Sequence, residues 1–287
     1  MFLLGFCYPV EWDTRELSSR LERLKALGYD GVEFWEKDIK ELGVSRLAQT
    51  LAEVGIRCAQ ICPYFDFVHS QKAWDNTMRI AEEYITAAIQ LGKPLVRVFT
   101  GGNVGPTNAT PAQWDAAISG LQRICDMAVP EGIRLALECH SGSLMEDSPS
   151  TLRLLQGVCR PNLGVNLQLP LKGGQEPVDI SIEQLGPYTW HTHAHNYTAL
   201  VGGEFRLLGQ GVLDYHSILS RLLGCGFRGY VSIEHPSHEG TRDPWEIARL
   251  EADYLAALRS QLNTELRPAA GFFPEDLNEF TPGADIA

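Results

Sequence analysis

The sequence predicts an α/β protein in which eight parallel strands alternate with helices and close into a (β/α)8 barrel of the TIM type. Two observations support this. An amphipathic stretch that ends near a glycine is repeatedly followed, a few residues later, by a short apolar strand. Eight such units fit within about 260 residues, the usual length of this barrel. A doubly wound sheet is the alternative, but no Gly-x-Gly-x-x-Gly sequence opens the first strand-to-helix turn.

The strands are recognised by β-branched and aromatic residues bounded by turn-forming residues. Glycine precedes several of them because it accepts the left-handed backbone conformation that ends a helix, as in the segment 27–31. The predicted strands cover residues 3–9, 31–36, 56–62, 95–100, 134–140, 163–169, 189–196 and 230–235.

Helical periodicity fills most of the gaps between these strands. Thr110-Pro111 and Ser148-Pro149 place proline at the first position of two helices, where its missing N–H costs nothing. The predicted helices cover residues 13–27, 44–54, 70–91, 111–129, 148–158, 179–185, 214–223 and 243–262. Residues 1–262 therefore form one barrel domain. The segment 263–287 carries proline and glycine and is predicted to be an irregular C-terminal extension that packs on the barrel or on a partner.

Composition narrows the class of protein. Hydrophobic residues make up 44%, which suits a globular protein with a core, and the net charge of −12 disfavours non-specific binding to nucleic acid. No apolar run reaches the roughly 18 residues that a membrane helix needs. The seven cysteines are odd in number and lie mostly in apolar segments, which favours a reducing cytoplasm over a disulfide framework. We expect a cytoplasmic protein, and its helical faces and tail are compatible with a homo-dimer or tetramer.

Polar side chains stand at the ends of four successive strands, where barrel enzymes carry their active sites. Glu138 and Glu234 end apolar runs, and Asn166 and Gln168 share one face of the sixth strand. The seventh strand carries three histidines that share one face, namely His191, His193 and His195. Each feature alone has an ordinary structural explanation, such as a hydrogen-bonded strand cap, a structural histidine pair or a core amide.

Together these side chains favour a metal site. Two carboxylates, an imidazole and an amide oxygen at adjacent strand ends can converge on one point, and buried charges are costly unless they are paired or bound to a cation. This donor set suits Mn²⁺, Mg²⁺ or Co²⁺, with positions left open for water or substrate.

The motifs at these strand ends resemble those of the xylose isomerase-like TIM barrel superfamily, in particular its sugar phosphate isomerase and epimerase group. The resemblance extends to about residue 262. It is carried by Gly31-Val32-Glu33-Phe34, Leu135-Ala136-Leu137-Glu138, His191-Thr192-His193, the segment 208–215 (LGQGVLDY) and the segment 229–235 (GYVSIEH).

The resemblance implies roles for individual residues. The metal ligands would be Glu138, Gln168, His193 and Glu234, with Gln168 standing where the family commonly has Asp. This substitution removes one negative charge, and Leu171 occupies a place where relatives often have His. The family's basic residue after the histidine strand would fall near Arg206 by loose alignment.

The implied function is a divalent-metal-dependent sugar isomerase or epimerase. Glu138 and Glu234 would flank the substrate carbon, one removing a proton and the other returning it through an enediolate. Candidates to hold the sugar hydroxyls are His140, His195 and Arg206. Trp35 and Phe65 would either supply an apolar wall for the sugar or pack in the core. A phosphorylated substrate is not expected, and Arg97 would either touch substrate or pair with Glu33 or a neighbouring acid.

Three other functions remain open. A metal-dependent lyase would start from the same proton abstraction and would dehydrate a keto-inositol or cleave a 3-keto-glycoside. A DNA-repair endonuclease is disfavoured by the net charge of −12 and by the lack of further ligands for a trinuclear zinc site. A non-catalytic barrel that binds sugar or a partner protein is compatible with Gln168 and Leu171.

Overall fold

The computed structural model describes residues 1–9, 12, 14–234 and 243–266 and shows a closed barrel of eight parallel strands. The barrel strands are β1 (Leu3–Cys7), β2 (Gly31–Trp35), β3 (Arg57–Cys62), β4 (Leu95–Val98), β5 (Leu135–Glu138), β6 (Leu163–Gln168), β7 (Thr189–Ala194) and β10 (Tyr230–Ile233). Their order around the barrel is β1-β10-β7-β6-β5-β4-β3-β2. This confirms the predicted (β/α)8 fold. A two-stranded antiparallel hairpin between β7 and β10 consists of β8 (Asn196–Tyr197) and β9 (Phe205–Arg206).

The described helices surround the barrel. They are α1 (Leu17–Ala26), α2 (Glu36–Leu42), α3 (Val44–Val54), α4 (Gln71–Gln90), α5 (Pro111–Ala128), α6 (Ser148–Val158), α7 (Val178–Leu185), α8 (Tyr215–Gly224) and α9 (Pro244–Glu265). Their apolar faces cover the outside of the strands, as α3 does with Leu47, Leu51 and Val54. No helix in the described part of the chain is long and apolar enough to cross a membrane.

Three elements differ from the sequence prediction. Helix α2 was not predicted because it follows β2 without a loop, and its start is fixed by the Asp38 carboxylate, which accepts from the Trp35 backbone N–H at 3.0 Å. The hairpin of β8 and β9 was also not predicted, since each strand has only two residues. Helix α9 continues to Glu265, so the predicted boundary at residue 262 falls inside a helix. Residues 267–287 of the predicted extension lie outside the described residues, as does His235.

The strand ends and their register place the candidate residues at one mouth of the barrel. Strand β5 ends at Glu138 and β6 at Gln168. In the ladder between β6 and β7, Gln168 is level with His193, and between β7 and β10 His193 is level with Ser232, two residues before Glu234. Because all barrel strands run in parallel, these side chains reach the same end of the barrel.

Candidate active site

Three of the predicted residues meet at the C-terminal mouth of the barrel. His193 Nδ1 lies 3.2 Å from Glu138 Oε1 and 3.5 Å from Glu234 Oε2. One ligand atom from each of these side chains lies within 4.8 Å of the other two. Gln168 joins them, because its Nε2 donates to Glu234 Oε2 at 2.8 Å. The structure thus brings together all four residues that were expected to share a cation.

Glu33, a fully buried residue of β2, contacts the ring nitrogen of His193 that does not face Glu138 and Glu234. Glu33 Oε2 lies 3.0 Å from His193 Nε2 and Glu33 Oε1 lies 2.6 Å from His191 Nε2, while Gln60 Nε2 donates to Glu33 Oε2 at 2.8 Å. A carboxylate at this position accepts the Nε2–H of His193, so Nδ1 is the nitrogen left to face Glu138 and Glu234.

Sequence reasoning missed this role of Glu33 and considered Glu33 or a neighbouring acid as the partner of Arg97. The structure shows that Arg97 pairs with the neighbouring acid Glu138 and not with Glu33, because β4 and β5 are neighbours while β3 separates β2 from β4. The signal that was available is a glutamate inside the fully buried strand of residues 31–35. A carboxylate there requires buried donors, and the histidines of β7 supply them.

Arg97 is almost fully buried and is held on several sides. Its Nη1 donates to Glu138 Oε2 at 2.8 Å and its Nη2 donates to the Pro63 carbonyl at 3.0 Å. The guanidinium also lies 5.1 Å from the ring centre of Trp35 and 5.0 Å from that of Phe99. Burial alone would raise the pKa of Glu138, but the guanidinium outweighs it, with help from His193, and lowers that pKa below its usual value.

The two aromatic residues that were considered for a substrate wall pack in the core. Trp35 is buried against Cys7 and Cys62, and its Nε1 donates to the Tyr8 carbonyl at 3.0 Å. Phe65 is also buried and lies next to Phe67. Trp35 therefore packs against Arg97, and neither ring is among the described residues that line the cavity of about 250 Å³ beside the cluster.

A cavity of about 250 Å³ adjoins the cluster and is lined by His140, Gln168, His195 and Tyr197 among others. Two of the predicted substrate-binding residues, His140 and His195, thus face the space beside the four ligand candidates. His195 Nδ1 also lies 3.5 Å from Glu234 Oε2. Arg206 stands apart. Its guanidinium donates to the Phe205 carbonyl and pairs with Glu204, and it is not among the described residues that line this cavity.

The residues fit a divalent cation. His193 Nδ1 and Gln168 Oε1 are buried and have no hydrogen-bond partner in the part of the chain that the structure describes. An imidazole nitrogen without a hydrogen bond, beside two carboxylates and a free amide oxygen, is a donor set that suits Mn²⁺, Mg²⁺, Co²⁺ or Zn²⁺. Glu138, Gln168, His193 and Glu234 are the residues that would hold such an ion.

In the metal-free protein, the imidazole of His193 itself carries a positive charge beside the carboxylates. Burial alone would lower its pKa, but the carboxylates of Glu234 and Glu33 outweigh burial and raise that pKa well above its usual value. The imidazole is then protonated at neutral pH in the metal-free protein. A metal ion needs the deprotonated Nδ1, so the ion and the proton compete for the same nitrogen.

Metal binding is therefore expected to release a proton. Below the raised pKa of His193, the apparent affinity for Mn²⁺ should increase with pH by about tenfold per unit, since one proton leaves for each ion bound. Calorimetric titration with Mn²⁺ in two buffers of different ionisation enthalpy measures the number of protons released. Equal heats in the two buffers at pH 7 would show that His193 is already neutral or is not a ligand.

Glu33→Gln is expected to weaken metal binding by about 10–100-fold, the usual effect of losing a carboxylate that orients a ligating histidine. The variant cannot accept from both His191 and His193, so Nδ1 is no longer fixed toward the carboxylates. Titration with Mn²⁺ measures the affinity. Glu176→Gln is the matched control, because Glu176 is a buried carboxylate that accepts from the Ser148 backbone N–H at 2.9 Å and from the Ser181 hydroxyl at 2.7 Å, away from the cluster. Equal affinities in the two variants would contradict the orienting role of Glu33.

A closed (β/α)8 barrel carries its functional groups at the C-terminal mouth, and two carboxylates and a histidine meet there in this chain. The family model described as xylose isomerase-like TIM barrel matches residues 21–258. The chain belongs to this family, which confirms the resemblance that the sequence motifs indicated.

Two curated relatives are dehydratases. A 3-dehydroshikimate dehydratase of Bacillus anthracis is 26% identical over 180 residues, which cover 60% of this chain and 63% of that protein. An inosose dehydratase of Geobacillus kaustophilus is 22% identical over 169 residues, which cover 52% of this chain and 54% of that protein. The chain thus spans less than two thirds of the length of either relative.

A solved structure with the same fold contains a metal. The IOLI protein, solved with a zinc atom bound, superposes with a TM-score of 0.76 at 18% identity, covering 91% of this chain and 99% of that one. This similarity supports the barrel fold. The zinc belongs to that protein.

Proposed function

We propose that this protein is a divalent-metal-dependent lyase that removes water from a small keto-polyol. The observation that carries the proposal is the cluster of Glu138, His193 and Glu234, with His195 beside it at the edge of a cavity of about 250 Å³. The names of the two dehydratase relatives support dehydration over the isomerisation or epimerisation that the sequence motifs first suggested.

A bound divalent ion supplies Lewis-acid stabilisation of the negative charge that develops on a carbonyl oxygen when the neighbouring carbon loses its proton. Side chains of the protein itself would bind the substrate and transfer the protons. The cavity limits the substrate to a small molecule, and its polar lining by His140, Ser141 and His195 suits hydroxyl groups.

Glu234 is the carboxylate that we assign as the base. Glu138 is tied to Arg97, which lowers the pKa of Glu138 and makes it a weak proton acceptor. Glu234 instead accepts from the neutral amide of Gln168 and lies 3.5 Å from Nδ1 of His195. A base of this kind contributes roughly 10²–10⁴-fold to the rate.

His195 is the side chain that we assign as the acid. In the elimination, the C–H proton passes to Glu234, a carbon–carbon double bond forms next to the carbonyl, and the C–O bond of the leaving hydroxyl breaks as His195 donates a proton to it. The products are water and an unsaturated ketone, so atoms and electrons balance. His195 lines the cavity beside the cluster, so its ring would lie next to a bound substrate.

Product analysis tests this proposal. The purified protein, loaded with Mn²⁺, would be incubated with inosose and with 3-dehydroshikimate, and the products would be followed by mass spectrometry and by absorbance of the new conjugated double bond. Loss of the mass of one water is the expected result. A product of unchanged mass from these or from open-chain ketoses would instead support isomerisation or epimerisation, in which Glu138 or Glu234 returns the proton.

A further inference from the structure

A second cavity opens at the opposite end of the barrel, where the strands begin. Its volume is about 700 Å³, within the range of small-molecule sites. Trp190 of β7 and Tyr230 of β10 form part of its floor. The Trp190 ring lies against Gly164, where an added Cβ would come within 2.3 Å of the ring, and the Tyr230 ring lies against Gly31, where it would come within 2.7 Å. The glycines of β6 and β2 therefore allow two aromatic rings to close this end of the barrel.

The lining of this cavity is strongly cationic. It includes Arg57, Lys93, Arg134 and Arg228, and no aspartate or glutamate is among the described residues that line it. This contrasts with the whole chain, in which 36 acidic residues outnumber 24 lysines and arginines. Asp30, an acid close to Tyr230, is paired with Arg259 at 2.9 Å and accepts from the Leu4 backbone N–H at 2.9 Å.

Contact with a helix C-terminus accounts for the position of only one of these four cations. Helices α3 and α4 end among the lining residues and α8 ends shortly before Arg228, and cations are favoured near helix C-termini. Arg228 is used in this way, since its Nη1 donates to the carbonyls of Phe227 at 2.6 Å and Leu223 at 3.2 Å.

The other three cations do not bind the carbonyls of a helix C-terminus in the described part of the chain. Within the described residues, the side chains of Arg57, Lys93 and Arg134 form no ion pair and donate to no helix carbonyl. Arg134 instead lies over the Trp190 ring, 5.1 Å from its centre, and Arg57 neighbours the Tyr230 hydroxyl. Three charges that have no counter-ion among the described residues line one opening beside two aromatic rings, which is a suitable environment for an organic anion.

We propose that this cavity binds a small organic anion, with its carboxylate or phosphate group held by Arg57, Lys93 and Arg134 and its apolar body lying against Trp190. The site is separate from the candidate active site, because it is built from the beginnings of the strands whereas Glu138, His193 and Glu234 act at their ends. Anion binding here does not depend on the proposed lyase function.

Phenyl phosphate is a suitable probe, and phenol is its uncharged counterpart. Calorimetric titration would use metal-free protein, so that phosphate cannot bind a metal at the other mouth. We expect phenyl phosphate to bind more weakly as salt is raised and phenol not to bind measurably. The Arg57→Gln/Arg134→Gln double variant should bind phenyl phosphate at least about tenfold more weakly, since two charged hydrogen-bond donors are lost.

Two control variants locate the binding. Arg153→Gln removes an exposed arginine that lies 3.9 Å from the ring centre of another tryptophan, Trp114, outside the cavity, and should leave phenyl phosphate affinity unchanged. Glu234→Gln should also leave it unchanged while it removes turnover, which separates this inference from the proposed function. The inference is overturned if the wild-type protein does not bind phenyl phosphate, or if the double variant binds it as well as the wild type does.

Discussion

Glu234→Gln is expected to abolish turnover while the barrel stays folded. Glu234 is assigned as the base and would also bind the metal, so the loss should exceed the roughly 10²–10⁴-fold that a placed base alone contributes. The substitution keeps the shape of the side chain and removes the charge that faces His193 at 3.5 Å. Steady-state kinetics on the Mn²⁺-loaded protein, with circular dichroism to check the fold, measures the effect.

Glu176→Gln serves as the matched control for this experiment as well. It removes another buried carboxylate, which accepts from the Ser148 backbone N–H at 2.9 Å and lies outside the cluster. We expect lower thermal stability in this variant and unchanged turnover per folded molecule. Full activity of Glu234→Gln on a substrate that the wild-type protein converts would show that the base is a different group.

Arg97→Met is expected to lower the free energy of unfolding of the metal-free protein by about 3–5 kcal/mol at neutral pH, the usual cost of leaving one member of a buried ion pair alone. Arg97 and Glu138 are both nearly inaccessible to water and their charged atoms lie 2.8 Å apart. Without the guanidinium, burial and the neighbouring Glu234 carboxylate would together raise the pKa of Glu138. Urea unfolding at several pH values measures the change.

The effect should depend on pH in a defined direction. In the wild-type protein the pKa of Glu138 is lower when folded than when unfolded, so its contribution to stability is present above the unfolded value of 4.5 and is lost as the pH falls through the folded value. The deficit of Arg97→Met should accordingly begin to shrink as the pH falls through the raised pKa of Glu138 in the variant, and should shrink further below about pH 4.5, where the wild-type protein loses its own contribution.

Two further variants test the explanation. Arg160→Met breaks an exposed pair with Asp126 and should cost no more than about 1 kcal/mol. The double variant Arg97→Met/Glu138→Gln should recover much of the stability, because no unpaired buried charge remains. A deficit of Arg97→Met that is equal at pH 7 and pH 4, or that the second substitution does not reduce, would mean that lost packing rather than an uncompensated charge destabilises the variant.

Local sequence patterns were sufficient to predict the fold, because each βα unit contains its own strand, helix and turn signals. The start of α5 shows this: Thr110 and Pro111 predicted the helix, and the Thr110 hydroxyl accepts from the Gln113 backbone N–H at 3.3 Å. Helix α2 shows the limit, since a helix of seven residues that follows a strand without a turn leaves no boundary for periodicity to detect.

The candidate site was predictable to the same extent. Glu138, Gln168 and Glu234 stand at the ends of apolar runs, and parallel strands bring such ends together whatever their separation in the chain. The family resemblance then distinguished His193 from His191 and His195. Arg206 was placed by loose alignment only, and the structure pairs it with Glu204 on the short hairpin.

The amino-acid sequence by itself determined the alternation of strands and helices, the barrel that follows from it, and the set of polar side chains at the barrel mouth, because these depend on residue type and local spacing. Only the tertiary structure decided the partners of each charge: that Glu33 contacts His193 and His191, that Arg97 pairs with Glu138, and that three cations with no counter-ion in the described part of the chain share a cavity at the far end. The physical reason is that a buried charge is stabilised by whatever lies a few ångströms away in space, and around a closed barrel that depends on strand order, register and side-chain direction.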